Sequence, residues 1–533
     1  MSSLTGGSRR CAPPSVARCA SFQIFLPRLT IDPNNQILAG MRSKRLPYIP
    51  IIKARYRRPL KASNISPLVL RMLRFISPFY LRFGLNFSSI ELRDAERQTV
   101  NSLVSLWRDF QDGKTRLILA FRHPYGDEPQ VFSYLFDVLL KNRARRDGVA
   151  LRGHPHARFI HGYEVALWGG PLIRWLLPRI GAVPVYHVKA DSAGIKAIRG
   201  IIRDGPHPIA LAPEGQVSYR SEIVPRLEAG CAQMGFWCAE ELEKDGRDER
   251  VCILPLSMHH EFDPRDEKKV EKMVRALEAV CAASSSDGQV LPAAALHEQP
   301  AAPLHDRTAA SLHDRLEVLD LQMLAMAEDF YERTYGKRAK TESHDTQSRD
   351  ARWEALRHIA LAEGERALGL TPHAAADEIQ RVYRLRQECW DRIYSLDPAR
   401  KISALERAYA DRRAGEAWFA MRHMEFVDIA YYLDSDYLAG TAGDPPSFNR
   451  IAETVINLTD LVNRFAGGNI SNRSAVLRKR AVVIAGKPIE IRERMSAYKD
   501  NRKQAVDAVT ADMKQIFLDC ATALRDKEHN DEY

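Results

Sequence analysis

The chain has 533 residues, of which 45% are hydrophobic, 8% aromatic and 27% charged. That balance excludes a fibrous or wholly disordered chain and supplies core for two to four domains. Its formal charge of +10 is uneven: residues 1–90 hold fifteen Lys/Arg against a single acid, Asp32, while the remaining 443 residues hold 63 basic and 67 acidic side chains. Uncharged apolar stretches fall short of the roughly 18–20 residues that cross a bilayer, which argues against an integral membrane protein. Eight scattered cysteines (Cys11, Cys19, Cys231, Cys238, Cys252, Cys281, Cys389, Cys520) form no C-x-x-C pair. That scatter argues against a disulfide framework or zinc ribbon and fits a reducing interior better.

In chain order, residues 1–66 form a basic arm of the kind that attracts nucleic acid or anionic lipid. Its first 31 residues are acid-free and carry Arg9, Arg10, Arg18 and Arg28 among serines. That composition resembles an organelle transit peptide and equally fits a start codon assigned too far upstream. Pro67–Leu85 reads as a helix, kinked at Pro78, on which Arg71, Arg74 and Arg82 share a sector of roughly 80° while the rest is Leu, Met, Phe, Ile and Tyr. A helix lying in a lipid headgroup layer has this pattern, and so does a core helix with solvated arginines; the adjoining basic arm favours the membrane.

A polar helical stretch over about Glu91–Phe110 leads to strands at Arg116–Phe121, Ala157–Ile160, Ala182–Tyr186, Pro208–Ala212 and Val251–Leu256. Helices over Tyr163–Leu177, Ser192–Asp204 and Gly230–Leu242 separate them. This alternation predicts an α/β layered domain over residues 67–265 with a mainly parallel central sheet. Residues 266–350 read as linker with one helix, Leu316–Tyr335, and residues 351–478 as a large all-helical insertion. Its aromatic stretches Trp418–Phe426 and Tyr431–Tyr437 read as core. Residues 479–533 bring a returning strand, Ala481–Ile484, and a long helix with Val506, Val509, Met513, Ile516, Cys520 and Leu524 on one face.

Two loops after strands carry the candidate chemistry. His123 lies two residues past the strand Arg116–Phe121, and Asp127 and Glu128 open the next helix. Ligands of open α/β sheets gather at the carboxyl ends of strands, where a carboxylate can fix the tautomer of a histidine acting as a base. Read by itself, the segment also suits an N-cap at Asp127 followed by a first-turn proline, Pro129. The second loop, Ala212-Pro213-Glu214-Gly215-Gln216, follows the strand at Pro208. By itself Pro-Glu-Gly is a common turn.

Taken together, the blocks resemble the glycerolipid acyltransferases of the lysophosphatidate acyltransferase type, with a His-x4-Asp block followed 80–100 residues on by Pro-Glu-Gly. His123 and Glu214 are 91 residues apart. Gly181–Val185, Val251–Leu256 and the Gly-Lys-Pro-Ile segment at 486–489 match further blocks. The resemblance covers roughly residues 67–265 and 479–525. It implies that His123 is a general base removing the proton from an acceptor hydroxyl, which attacks the thioester of an acyl-CoA or acyl carrier protein. Asp127 or Glu128 would orient His123, with Glu128 preferred by register, and Glu214 and Gly215 would hold the acceptor. No metal or redox cofactor is implied.

The sequence departs from the family in two places. A glutamate, Glu128, stands at the register of the family's aspartate. The usual Thr-Arg-Ser after Pro-Glu-Gly is Gln216-Val217-Ser218, so Val217 replaces an arginine thought to hold the acceptor phosphate; Arg220, Lys189 or Arg122 would have to supply that charge. The expected partners are an acyl-thioester donor, a lysolipid or other amphiphilic acceptor and an anionic membrane surface, with the protein peripheral on its cytoplasmic side. The rival readings are an inactive acyltransferase-like scaffold, a hydrolase sharing the same logic, and a nucleic-acid binder. No recognition motif accompanies the basic charge, which disfavours the last.

Overall fold

The computed structural model describes residues 52–58, 63–94, 99–186, 188, 192–285, 311–337, 348–371, 376–433, 435–439, 446–465, 468, 470 and 473–531. The leader, most of the basic arm and Lys189 lie outside the described residues. Eight strands form one mixed, mostly parallel sheet: β1 (Phe87–Asp94), β2 (Thr115–Phe121), β3 (Arg158–Gly162), β4 (Val183–Val185), β5 (Ile209–Leu211), β6 (Arg250–Phe262), β7 (Lys479–Ala485) and β8 (Ile489–Glu490). Their order is β1-β7-β6-β2-β5-β3-β4, with β8 paired to β6.

The centre of the sheet is β2, whose seven residues TRLILAF are all buried. A strand covered on both faces has no need of polar alternation, so a continuous apolar run is its signature. Leu117, Leu119 and Phe121 pack on one side with Val131, Phe132 and Phe136. Ile118 and Ala120 pack on the other with Phe236, Val509 and Phe517. The helix Arg502–Asp531 supplies Val509, Met513 and Cys520 from the face its periodicity marks. Full burial of one such side chain is worth about 1.5–3 kcal/mol.

Three details correct the sequence reading. The stretch near Glu91 opens not as helix but as the strand β1, and the helix that follows is Thr99–Gln111. Its outward polar residues, those of a half-covered strand, had masked it. The segment Tyr163–Leu177 is broken into two helices, Val165–Trp168 and Gly170–Arg179, where Gly170 takes φ 81°. Residues 266–350 contain a second helix, Glu267–Ser285.

The pairing of β6 decides the architecture. Its first half runs parallel to β2, from Thr115↔Arg250 to Phe121↔Leu256. Its second half runs antiparallel to β7, from Leu256↔Ala485 to Phe262↔Lys479. The chain therefore leaves the sheet after Phe262 and re-enters beside the same residue at Lys479. The elements described between are helices, including Leu312–Tyr335, Arg349–Ala367, Glu378–Ile393, Ala404–Ala430 and Phe448–Phe465. They share one core, to which Phe426, Tyr432 and Met421 contribute, and that core also takes in Tyr125, Tyr163 and Tyr219 from loops at the sheet. The six described cysteines are buried and none forms a disulfide. No helix among the described residues is long and apolar enough to cross a membrane.

Candidate active site

Parallel pairing brings the two loops together. β2 and β5 are neighbours in the register Ala120↔Leu211. His123 and Glu214 each lie three residues beyond that pair, so equal offsets place both at the carboxyl edge of the sheet. The Ser218 N–H donates to the His123 carbonyl at 2.9 Å and ties one loop to the other.

Between His123 and the helix Glu128–Tyr134 the chain makes a tight turn, with Gly126 at φ 93°. The turn aims two backbone donors at one carboxylate. Tyr125 N–H reaches Glu128 Oε1 at 2.6 Å and Gly126 N–H reaches Glu128 Oε2 at 2.7 Å. Glu128 Oε2 lies 2.6 Å from His123 Nδ1, and the Glu128 side chain is fully buried. An ionised carboxylate only accepts, so Nδ1 carries the proton and Nε2 presents its lone pair. Nε2 has no hydrogen-bond partner among the described residues, and the ring is about one-fifth exposed (21%). Burial lowers the pKa of His123, but the carboxylates of Glu128, Glu214 and Asp127 prevail and raise it above the ordinary 6.5. The result is an imidazole with a fixed tautomer, an accessible base nitrogen and a strengthened hold on a captured proton.

Asp127 does not share this task. Its Oδ2 lies 2.5 Å from Lys479 Nζ, and its Oδ1 faces His260 Nε2 at 3.2 Å. Burial works to raise the Asp127 pKa, but Lys479 and His260 hold it well below the usual carboxylate range. The Lys479 ammonium also sits 4.6 Å from the Phe87 ring centroid and 4.9 Å from that of Tyr125. The expectation that either acid could orient His123 thus resolves to Glu128 alone. Nor does the Asp127 side chain cap the helix. Lys479 and His260 were missed in the sequence: one heads a strand hundreds of residues away, and the other lies past the predicted strand Val251–Leu256, where it reads as structural or exposed, whereas β6 runs on to Phe262 and buries it. Asp127, Glu128 and His260 bring three ligand-type atoms within 4.8 Å of one another. A cation there would have to displace the Lys479 ammonium and compete with the three donors on Glu128, so the donor set fits protons better than a metal.

Glu214 is equally committed. Its Oε1 pairs with Arg122 Nε at 3.1 Å, and both side chains are essentially inaccessible. The same guanidinium donates to the carbonyls of Ser221 (2.6 Å), Ile223 (2.5 Å) and Arg220 (3.2 Å). Arg122 is therefore the peg on which the loop 213–223 hangs, and not a charge offered to an acceptor. Arg220 is buried as well: it donates to the Tyr432 carbonyl and lies 4.7 Å over the Tyr437 ring. Both arginines proposed as substitutes for the missing one are thus turned inward. Val217, in that arginine's place, packs against the helical core. Gly215 has φ 74°, and a Cβ there would lie 2.4 Å from the Tyr383 hydroxyl. The helical residues clasp the rest of this loop: Gln216 donates to Tyr432 Oη at 3.0 Å, Tyr219 to Asp428 at 2.8 Å, and Ser221 Oγ to Glu453 at 2.7 Å. Burial pushes the Glu453 carboxyl up to about 7.

In comparison with known proteins, no family model, curated protein or solved structure matches this chain.

Proposed function

We propose that the protein is an O-acyltransferase that moves a fatty acyl group from an acyl-CoA or acyl carrier protein thioester to the hydroxyl of a glycerolipid, such as 1-acylglycerol-3-phosphate, at a membrane surface. The observation that carries the reading is the 2.6 Å contact of His123 Nδ1 with buried Glu128, which leaves Nε2 as the accessible base. In the reaction, Nε2 takes the proton of the acceptor hydroxyl as its oxygen attacks the thioester carbonyl. The new C–O bond forms, the C–S bond breaks, and the departing thiolate takes the proton back from the imidazolium. Glu128 stabilises that imidazolium, and a thioester is activated enough for positioning and one proton transfer to supply much of the acceleration.

The inward turn of Arg122 and Arg220 favours one rival specifically, an inactive scaffold that binds lipid and protein partners. Labelled acyl transfer to a panel of lysolipids separates the two. The enzyme reading requires turnover in the native protein that is lost in a folded His123→Ala variant. Turnover unchanged by that substitution removes His123 as the base, and vesicle binding with no transfer to any acceptor establishes the scaffold.

A further inference from the structure

The helix Pro67–Phe79 buries Val69 and Leu70, yet turns a second apolar stripe outward. Leu68, Met72, Phe75, Phe79 and, on the following turn, Phe83 recur at steps of four, three, four and four. Leu68 and Phe75 are each 74% exposed. A soluble surface helix shows water the opposite face. On the helices Val165–Trp168 and Gly170–Arg179, Trp168, Leu172 and Trp175 are also exposed. The helices Pro67–Phe79 and Gly170–Arg179 are tied by Ser66 N–H donating to the Arg179 carbonyl at 2.8 Å.

Beside this stripe lies a groove of about 320 Å³. Arg71, Arg74, Lys141, Arg145 and His154 line it together with Phe75. Among the described residues, no carboxylate lies within ion-pair distance of Arg71, Arg74, Lys141 or Arg145, although most other arginines of the sheet and the helical region are paired. The one acid in the lining, Asp137, is buried and faces His156 Nδ1 at 3.4 Å. Burial and the neighbouring Arg145 and Arg74 push the Lys141 pKa down, as expected of cations gathered without a counter-charge. Such a group is completed by an anion.

We infer that this groove is a binding site for the phosphate headgroup of an anionic lipid, held in a bilayer on which the outward apolar stripe rests. A groove of charge alone would serve a free phosphate. The apolar stripe at its rim selects an anion that arrives attached to acyl chains. The opposite end of the helix runs toward the active site, where the Asp127 carboxylate, after burial, raises the pKa of Tyr80. The site shares the membrane setting of the proposed acyl transfer but none of its chemistry.

The test is co-sedimentation of the full-length protein with phosphatidylcholine vesicles, alone or containing 20% phosphatidylglycerol or phosphatidic acid, alongside calorimetry with inorganic phosphate. The inference requires preference for both anionic vesicles. Arg74→Gln with Arg145→Gln should lower affinity for them roughly thirtyfold, at about 1 kcal/mol per charge near the surface, without changing the melting temperature. Phe75→Ser should weaken binding to all vesicles. Equal binding to neutral and anionic vesicles overturns the inference, as does wild-type affinity in the arginine double variant. Tight binding of inorganic phosphate without vesicle preference, or displacement of vesicles by a DNA duplex at equal charge, overturns the lipid as occupant. His123→Ala should abolish transfer and leave vesicle binding intact, whereas vesicle binding by the native protein with no transfer to any acceptor refutes the proposed enzyme and upholds this site.

Discussion

Replacing Glu128 by glutamine keeps the shape of the side chain and removes one acceptor oxygen. In the native turn Oε1 takes the Tyr125 N–H, and Oε2 takes both the Gly126 N–H and the His123 Nδ1–H. An amide cannot satisfy all three. With its oxygen at the Oε2 position, the NH2 opposes the Tyr125 N–H; with its oxygen at Oε1, the NH2 opposes Gly126 and drives His123 to the tautomer protonated on Nε2. Either arrangement leaves a buried donor unpaired, a loss of about 1–3 kcal/mol. The second also removes the base, and tautomer inversion in a comparable triad lowers turnover about 10,000-fold. Two measurements follow, nitrogen-detected titration of the His123 ring and the pH profile of acyl transfer. In the native protein the ring should titrate above the ordinary 6.5, because the surrounding carboxylates overcome burial, and the proposed transfer should fall as the ring becomes protonated. In Glu128→Gln the titration should move to lower pH and the maximal rate should collapse. The sign for stability follows from the same shift. A histidine whose pKa is raised by folding stabilises fully below 6.5 and loses that contribution as pH rises through the raised value. The deficit of the variant should therefore be largest in acid. An unchanged ring titration, with unchanged turnover, would refute the role of Glu128.

Lys479→Met leaves Asp127 as a buried charge without its main partner and should cost about 3–5 kcal/mol in urea unfolding at neutral pH. The depressed Asp127 pKa makes the contribution of the pair full above the ordinary carboxylate range and lost as pH falls, so the deficit should shrink in acid. Adding Asp127→Asn should recover part of it. Gly215→Ala should destabilise by about 1–3 kcal/mol through its positive φ and the contact with Tyr383; Tyr383→Phe should relieve the contact but not the backbone strain, as a double-mutant cycle would read. Arg122→Lys cannot reproduce a fork that meets Glu214 and three carbonyls, so about 2–4 kcal/mol of stability and kcat should fall together. A selective rise in KM for a phosphate-bearing acceptor, with stability intact, would instead mean that Arg122 touches substrate.

The sequence was sufficient wherever structure follows from short-range pattern. The apolar run 116–121 reads as a covered strand, the periodic face from Val506 to Leu524 reads as a packed helix, and the register of the resemblance preferred Glu128 to Asp127. The meeting of His123 and Glu214 was expected only from the resemblance, and the parallel pairing of β2 with β5 is what brings it about. Three further matters were left to the tertiary structure. Which acid serves His123 was decided by Lys479, delivered to Asp127 by the antiparallel pairing of β7 with β6. Whether Arg122 and Arg220 face substrate was decided by carbonyls and rings that fold over them from distant segments. The outward aim of Leu68, Phe75 and Phe83 was decided by which face of their helix the sheet domain had room to cover. Hydrophobic periodicity is encoded within a few residues, whereas the partner of a buried charge is set by strand register across hundreds, and no local pattern carries that information.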